Sequence, residues 1–263
     1  MELQTAIDHY HSLLDEESAR ATFAQLDREL RERRLMVGKA RDRLLCSVLR
    51  PRLLTKAQYA TVERAAVLVG RAIRKVGAAV LEDPALLAPY RLTPQEQALL
   101  EIDPGYPGAS AFGRLDGFLA ADGSSCFFVE SNLESPAGIG YDEAGAEIFD
   151  HLEVMQAFRR TYRAEPLPVR QHLLALLLDT YRAWGGQGTP TVAIVDFREV
   201  VTWAEFEYLR DRFAADGVPT VLAAPDDLRY DGKRLYALIA SDQSPGTTEQ
   251  TPIDLVYRRV LQH

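Results

Sequence analysis

Cysteine is almost missing from this chain: Cys46 and Cys126 are the only two among 263 residues. They lie far apart in different contexts, which excludes a disulfide framework and a C-x-x-C zinc spacing and points to a reducing, cytoplasmic setting. Long apolar runs are missing too. The longest, such as Leu173–Leu178, fall far short of a bilayer span. The opening MELQTAIDHYHSLLDEES has neither the basic start nor the apolar stretch of a secretory signal. No membrane partner and no export are expected. Nor is there an excess of positive charge: 30 Lys+Arg stand against 38 Asp+Glu, a formal −8 with a pI near 5.2. Phosphate backbones gain no general attraction from such a chain, and nucleic acid is not expected as a partner.

What is present reads as a globular protein. Hydrophobic residues make up 47% and charged residues 26%, with 17 Gly and 14 Pro, which argues against disorder, collagen or coiled coil. The length allows one large domain or two modest ones.

Apolar positions recur at spacings of three and four through Ala6–Leu14, Ala19–Leu35 and Ala57–Leu81, predicting three helices. Thr55 is placed to cap the third. The Asp27–Arg34 run alternates in sign, as a solvated helix face does. From Glu101 the texture changes. EIDPGYPGASA reads as loop, and two β-like runs follow, Phe112–Ala120 and Cys126–Asn132, joined by Ala-Asp-Gly-Ser-Ser. Ser135–Asp142 is a second glycine-containing loop, and Glu143–Tyr162 resumes a helical period.

A helix over Pro168–Trp184 closes on Gly-Gly-Gln-Gly, which lacks the Lys-Ser/Thr of a phosphate loop and reads as a helix stop. Strands are then expected at 191–196, 219–223, 235–240 and 253–257, with a helix from Thr202 to Ala215 and a Tyr-Asp-Gly-Lys turn at 230–233. That alternation predicts a Rossmann-like parallel sheet. The expected fold class is α/β with an α+β front part: residues 1–165 hold a helical region and the hairpin, and 166–263 a Rossmann-like domain.

One constellation carries chemistry: Arg114-Leu-Asp116 on the first hairpin strand and Glu130-Ser-Asn132 on the second. Residues two apart on a strand share a face. Whether the two pairs share one face depends on the parity of the connection. A two-residue loop makes opposed residue numbers sum to 245 and sends the pairs to opposite faces, whereas an odd loop makes the sum 246 or 244 and brings them together. An odd connection is expected, with Gly123 in the left-handed conformation. Two carboxylates and an amide oxygen on one face form a hard-oxygen site suited to Mg²⁺, and Arg114 beside them offers a fork for a phosphate oxygen. Read without the metal, the same residues are a surface hairpin with an ion pair worth under about 1 kcal/mol.

RLDGFLAADGSSCFFVESNLESPAGIGYDE resembles the R-x-D…E-x-N…P segment of the circularly permuted ATP-grasp proteins, the group of the glutathionylspermidine synthase-like ligases. VAIVDFREVVTWAEFEYLRDRFAADGVPTVLAAPDDLRYDGKRLY…IDLVYRR resembles the same group, with its Tyr-Arg-Arg strand ending, so the likeness covers most of Arg114 to Arg259. The resemblance implies a cytoplasmic ATP-dependent, Mg²⁺-dependent carboxylate–amine ligase. There a substrate carboxylate takes the γ-phosphate of ATP to form an acylphosphate, and an amine displaces the phosphate. Asp116, Glu130 and Asn132 are then the metal ligands and Arg114 the catalytic phosphate contact. Glu134 and Ser135 stand where the family places an acidic and a hydroxyl residue near the substrate. Arg258 is a further candidate substrate contact, with Arg259 beside it, although an Arg pair ending a strand also reads as a solvated edge.

The family clamps its nucleotide with a Lys-bearing strand and a Gly-rich flap that follow the Tyr-Arg-Arg strand. The lysines here are Lys39, Lys56, Lys75 and Lys233, none in a clamp motif, and the chain is expected to be the front portion of a longer ligase-like protein. The alternatives are a noncatalytic binding or assembly module on the same fold and, less favoured, a metal-dependent nuclease of the D…E-x-K type. The nuclease scheme wants Lys where Asn132 stands. His9, His11, His151 and His172 read as structural or solvated, and Cys126 as an apolar filler.

Overall fold

A computed structural model describes residues 3–38, 42–106, 112–240 and 248–261. Lys39, residues 107–111 of the expected loop and His263 lie outside the described residues. In chain order the elements are α1 (Leu3–Ser12), α2 (Glu16–Glu32), β1 (Met36–Val37), β2 (Arg43–Leu44), α3 (Lys56–Glu82), α4 (Pro84–Leu87) and α5 (Pro94–Leu100). The hairpin β3 (Arg114–Leu119) and β4 (Cys126–Asn132) follows, then α6 (Ile139–His151), α7 (Glu153–Arg159) and α8 (Val169–Trp184). The last third is β5 (Val192–Val195), α9 (Trp203–Ala215), β6 (Thr220–Ala223), β7 (Leu228–Tyr230), β8 (Leu235–Ala240), β9 (Thr248–Ile253) and β10 (Leu255–Arg258). The chain is thus mixed α and β with small sheets. Among the described residues, no helix is long and apolar enough to cross a membrane.

Two compact units form, and neither is continuous in sequence: one is Met1–Leu54, Ala137–Ala175 and Thr189–His263, the other Thr55–Pro136 and Leu176–Gly188. Sequence texture suggested a single cut at 165/166. The contacts instead take the hairpin together with α3 and divide α8 between the units.

In the larger unit, α1 and α2 form as their periodicity predicts. Asp15 caps α2 by accepting from the Ser18 amide at 2.8 Å. Tyr10, Phe149, Leu152, Met155 and Phe158 make one apolar cluster, and Leu26, Leu30, Leu35, Ala144 and Ile148 another. The helix expected over Glu143–Tyr162 is two helices. Leu152 leaves the helical region at φ −68°, ψ 133° and is fully buried in the Tyr10 cluster, so tertiary packing overrides a continuous helical period there.

β5, α9 and β6 make a parallel strand–helix–strand unit, and β10 pairs parallel with β5 on its other side, giving the order β10-β5-β6. All four residues of β5 are buried, as a central strand covered on both faces requires. The expected parallel strand at 235–240 is not part of this sheet. It is β8, the middle of a separate antiparallel sheet ordered β7-β8-β9. The Tyr230–Lys233 turn joins β7 to β8, with Gly232 at φ +94° and Asp231 accepting from the Lys233 and Arg234 amides at 2.8 Å each. β9 escaped the sequence reading because it is polar and contains Pro252. It pairs only with β8 among the described strands, and an edge tolerates a missing donor. Ala193, Val195, Ala223, Ala237 and Ile253 form the apolar contact between the two sheets.

In the smaller unit, Thr55 and Gln58 close a capping box at the start of α3. Thr55 Oγ1 accepts from the Gln58 amide at 3.1 Å, and Gln58 Oε1 accepts from the Thr55 amide at 3.0 Å. The hairpin packs beside α3. α8 ends as expected of a helix stop: Gly185 is at φ +104° and the Gly186 amide donates to Tyr181 O at 2.9 Å.

Candidate functional site

The β3–β4 hairpin opposes Asp116 to Glu130 and Arg114 to Asn132. Opposed residues of an antiparallel pair project to the same face, so the four side chains share one surface. The way this is reached differs from the sequence expectation. Ala120 N donates to Ser125 O at 2.9 Å, which leaves an even, four-residue connection, and from Gly117 to the turn the opposed numbers sum to 245. The register then shifts between Asp116 and Gly117, with Val129 as the extra residue, and beyond it the sum is 246. A bulge, not an odd turn, brings the two pairs together. Gly123 is left-handed as expected, at φ +72°.

Gly117 is what makes the bulge possible. A Cβ there would sit 2.7 Å from the Phe127 carbonyl oxygen and 3.3 Å from Phe128 Cα, a backbone approach only glycine allows. Gly117→Val should therefore destabilise the hairpin by about 1–3 kcal/mol and disorder the register of Asp116 against Glu130. Backbone amide exchange at residues 114–119 reads this directly, and native protection in the variant would contradict it.

On the shared face Arg114 holds Asp116 in a fork, Nε to Oδ1 at 2.8 Å and Nη2 to Oδ2 at 3.1 Å. Asn132 Nδ2 donates to Glu130 Oε1 at 2.9 Å and to Asp116 Oδ2 at 3.3 Å. The hydrogen bonds from Arg114, first among several contacts, hold the Asp116 carboxyl below its ordinary range, so it stays ionised. The oxygens of Asp116, Glu130 and Asn132 suit a hard divalent cation. Among the described residues, no group of three or more His, Cys, Asp or Glu side chains makes an all-protein metal cage. Two carboxylates and an amide match the way Mg²⁺ is held, with the remaining positions filled by phosphate and water.

Sequence reasoning missed the neighbour of this quartet. Phe118 opposes Phe127, and alternation along β3 puts them on the face of Arg114 and Asp116, where they are 71% and 62% exposed. The signal was the period-two pattern Arg114, Asp116, Phe118. Glu134 is exposed and Ser135 half-buried on the segment leaving β4. Arg258 belongs to the larger unit, exposed at the end of β10, with Nη1 donating to Val260 O at 3.0 Å.

A second polar cluster in the larger unit was not foreseen. Glu205 on α9 is 2% exposed, and its Oε1 accepts from the amides of Gly138 at 2.8 Å and Gly140 at 3.1 Å, at the start of α6. A Cβ on Gly140 would lie 2.8 Å from Glu205 Cγ, so the missing side chain is what admits the carboxylate. Arg259, 5% exposed, lies over the Phe206 and Tyr257 rings and donates to Tyr257 Oη at 3.1 Å. Asp196, at the end of β5, is also buried and accepts from the Phe197 amide at 2.8 Å. Strand alternation buries Tyr257 and Arg259 and exposes Arg258, so of the Arg pair only Arg258 is the solvated one.

Burial pushes the Glu205 carboxyl up, with Arg259 opposing it. The folded state therefore favours the protonated acid, and the stability tied to this group is lost as pH rises from the ordinary Glu value through the raised one. Glu205→Gln accepts the same amides and cannot ionise. Its melting temperature relative to the parent should rise from about pH 4 to about pH 8. A difference flat across that interval in thermal melts would show that Glu205 does not titrate there.

Compared with known proteins, the chain matches no family model and no curated protein.

Proposed function

We propose that the hairpin face is the magnesium and phosphate site of a permuted ATP-grasp-type carboxylate–amine ligase. The observation that supports this most is the opposition of Asp116 to Glu130 and of Arg114 to Asn132 on one face. Asp116 and Glu130 supply the anionic oxygens and Asn132 a neutral one. Arg114 offers parallel N–H donors matched to a phosphate oxygen pair, a fork now closed on Asp116. Bound Mg²⁺ would neutralise charge on the phosphates during transfer to a substrate carboxylate. No nucleophilic side chain is required, because the substrate carboxylate attacks the γ-phosphate and a substrate amine displaces phosphate from the acylphosphate. The protein's part is to position and to neutralise. Glu134 and Ser135, on the segment leaving β4, are assigned to the substrate side of this reading, whereas Arg258 belongs to the other unit and is left out of it.

Calorimetric titration of ATP with and without Mg²⁺ tests the site. Weak nucleotide binding that requires Mg²⁺ is the expected result, since no lysine here lies in a clamp motif, and the absence of any Mg²⁺-dependent binding would overturn the assignment. Phosphate release on adding small carboxylates and amines then separates a ligase from a noncatalytic binding module.

A further inference from the structure

The larger unit contains a cavity of about 370 Å³ bounded by α2, the 45–53 segment, α6, α7 and the 164–167 segment. That volume lies within the range of small-molecule sites. Its apolar wall is formed by Leu26 and Leu30 of α2, Leu45, Leu53, Phe149 of α6 and Met155 of α7. Gly145 and Ala146 face it from the middle of α6, and a Cβ on Gly145 meets nothing within 4 Å, so the space is kept by the absence of a side chain.

Three arginines and three acids line the wall, and not all of them are paired. Asp150 is paired with Arg159 at 2.6 Å and Glu165 with Arg163 at 2.6 Å. Arg50, by contrast, has only neutral partners among the described residues, donating to His11 Nε2 at 3.1 Å and to Pro51 O at 3.2 Å. Arg52 lines the cavity, is exposed, and makes no hydrogen bond or ion pair among the described residues. The remaining acid is Asp142. It makes no ion pair with Arg50 or Arg52, and burial, with Glu143 beside it, pushes its carboxyl up. The cavity thus has an apolar body and, on its 45–53 side, Arg50 and Arg52, neither of them paired with an acid among the described residues.

We infer that this cavity is a binding site for a small amphipathic carboxylate, its hydrocarbon part among the leucines and its acid at Arg50 and Arg52. An arginine pair recognises a carboxylate through parallel N–H donors, and an apolar chain fills a lining of this kind without leaving polar groups unpaired. The site belongs to one unit and does not depend on the hairpin reading.

Octanoate is the probe, with octylamine and 1-octanol for comparison, followed by calorimetry and thermal melts on the whole chain. Octanoate should bind saturably and raise the melting temperature, and octylamine should not. Arg52→Gln should weaken octanoate at least about tenfold while leaving 1-octanol unchanged. Gly145→Leu fills the cavity from a helical position that favours leucine over glycine, so it should abolish octanoate binding without lowering the melting temperature. No octanoate binding to the parent chain, octylamine binding as tightly, or octanoate binding that survives Gly145→Leu or Arg52→Gln unchanged would each overturn the assignment.

Discussion

Asp116→Asn and Glu130→Gln are each expected to weaken Mg²⁺-dependent ATP binding by about a hundredfold or more while leaving the melting temperature nearly unchanged. The two halves of this expectation come from the same geometry. Asp116 and Glu130 are directly opposed on an accessible hairpin face, and they are the only carboxylates in the Arg114–Asn132 quartet. Losing either leaves a single anionic ligand and a neutral amide for a doubly charged ion. Little stability is at stake. Asp116 and Arg114 are 40% and 44% exposed, and a fork between groups so open to water contributes little to stability. Calorimetry with ATP in the presence and absence of Mg²⁺, beside a melt of each variant, separates a binding defect from unfolding. A variant that binds as the parent does would remove that residue from the site.

Glu205→Ala should have the opposite signature: a large loss of stability from a position that takes no part in the hairpin quartet. The side chain is 2% exposed, and one of its oxygens serves two backbone amides, those of Gly138 and Gly140. Alanine leaves both donors without their acceptor, the Gly140 amide buried and the Gly138 amide partly so, and opens a cavity beside Leu209. An unsatisfied buried donor costs about 1–3 kcal/mol, so the variant should lose about 2–4 kcal/mol. Glu205→Gln keeps an acceptor at the same place and should recover most of it near pH 4. Urea unfolding followed by far-UV circular dichroism measures both, and an alanine variant as stable as the parent would mean the two amides find other partners.

The sequence was informative wherever a local rule decides the outcome. Helical periodicity and the Thr55 cap placed α3, the Gly-Gly-Gln-Gly run ended α8, and glycine at 123 took the left-handed conformation that a hairpin turn needs. Local rules failed where distant residues choose. Leu152 breaks a helical run because it is drawn into the Tyr10 cluster, and residues 235–240 join an antiparallel sheet because their partners are β7 and the proline-containing β9.

The candidate site shows both kinds of control within one hairpin. Sequence alone determined which residues are available, the left-handed glycine at 123, and the spacing of two that puts Arg114 beside Asp116 and Glu130 beside Asn132. It left open whether those pairs meet, since the parity of register is invisible to composition and periodicity. The tertiary structure decided that through a bulge at Val129 held open by Gly117. It also buried Glu205 and Arg259, because burial and register depend on which backbones approach each other, and local sequence does not encode that approach.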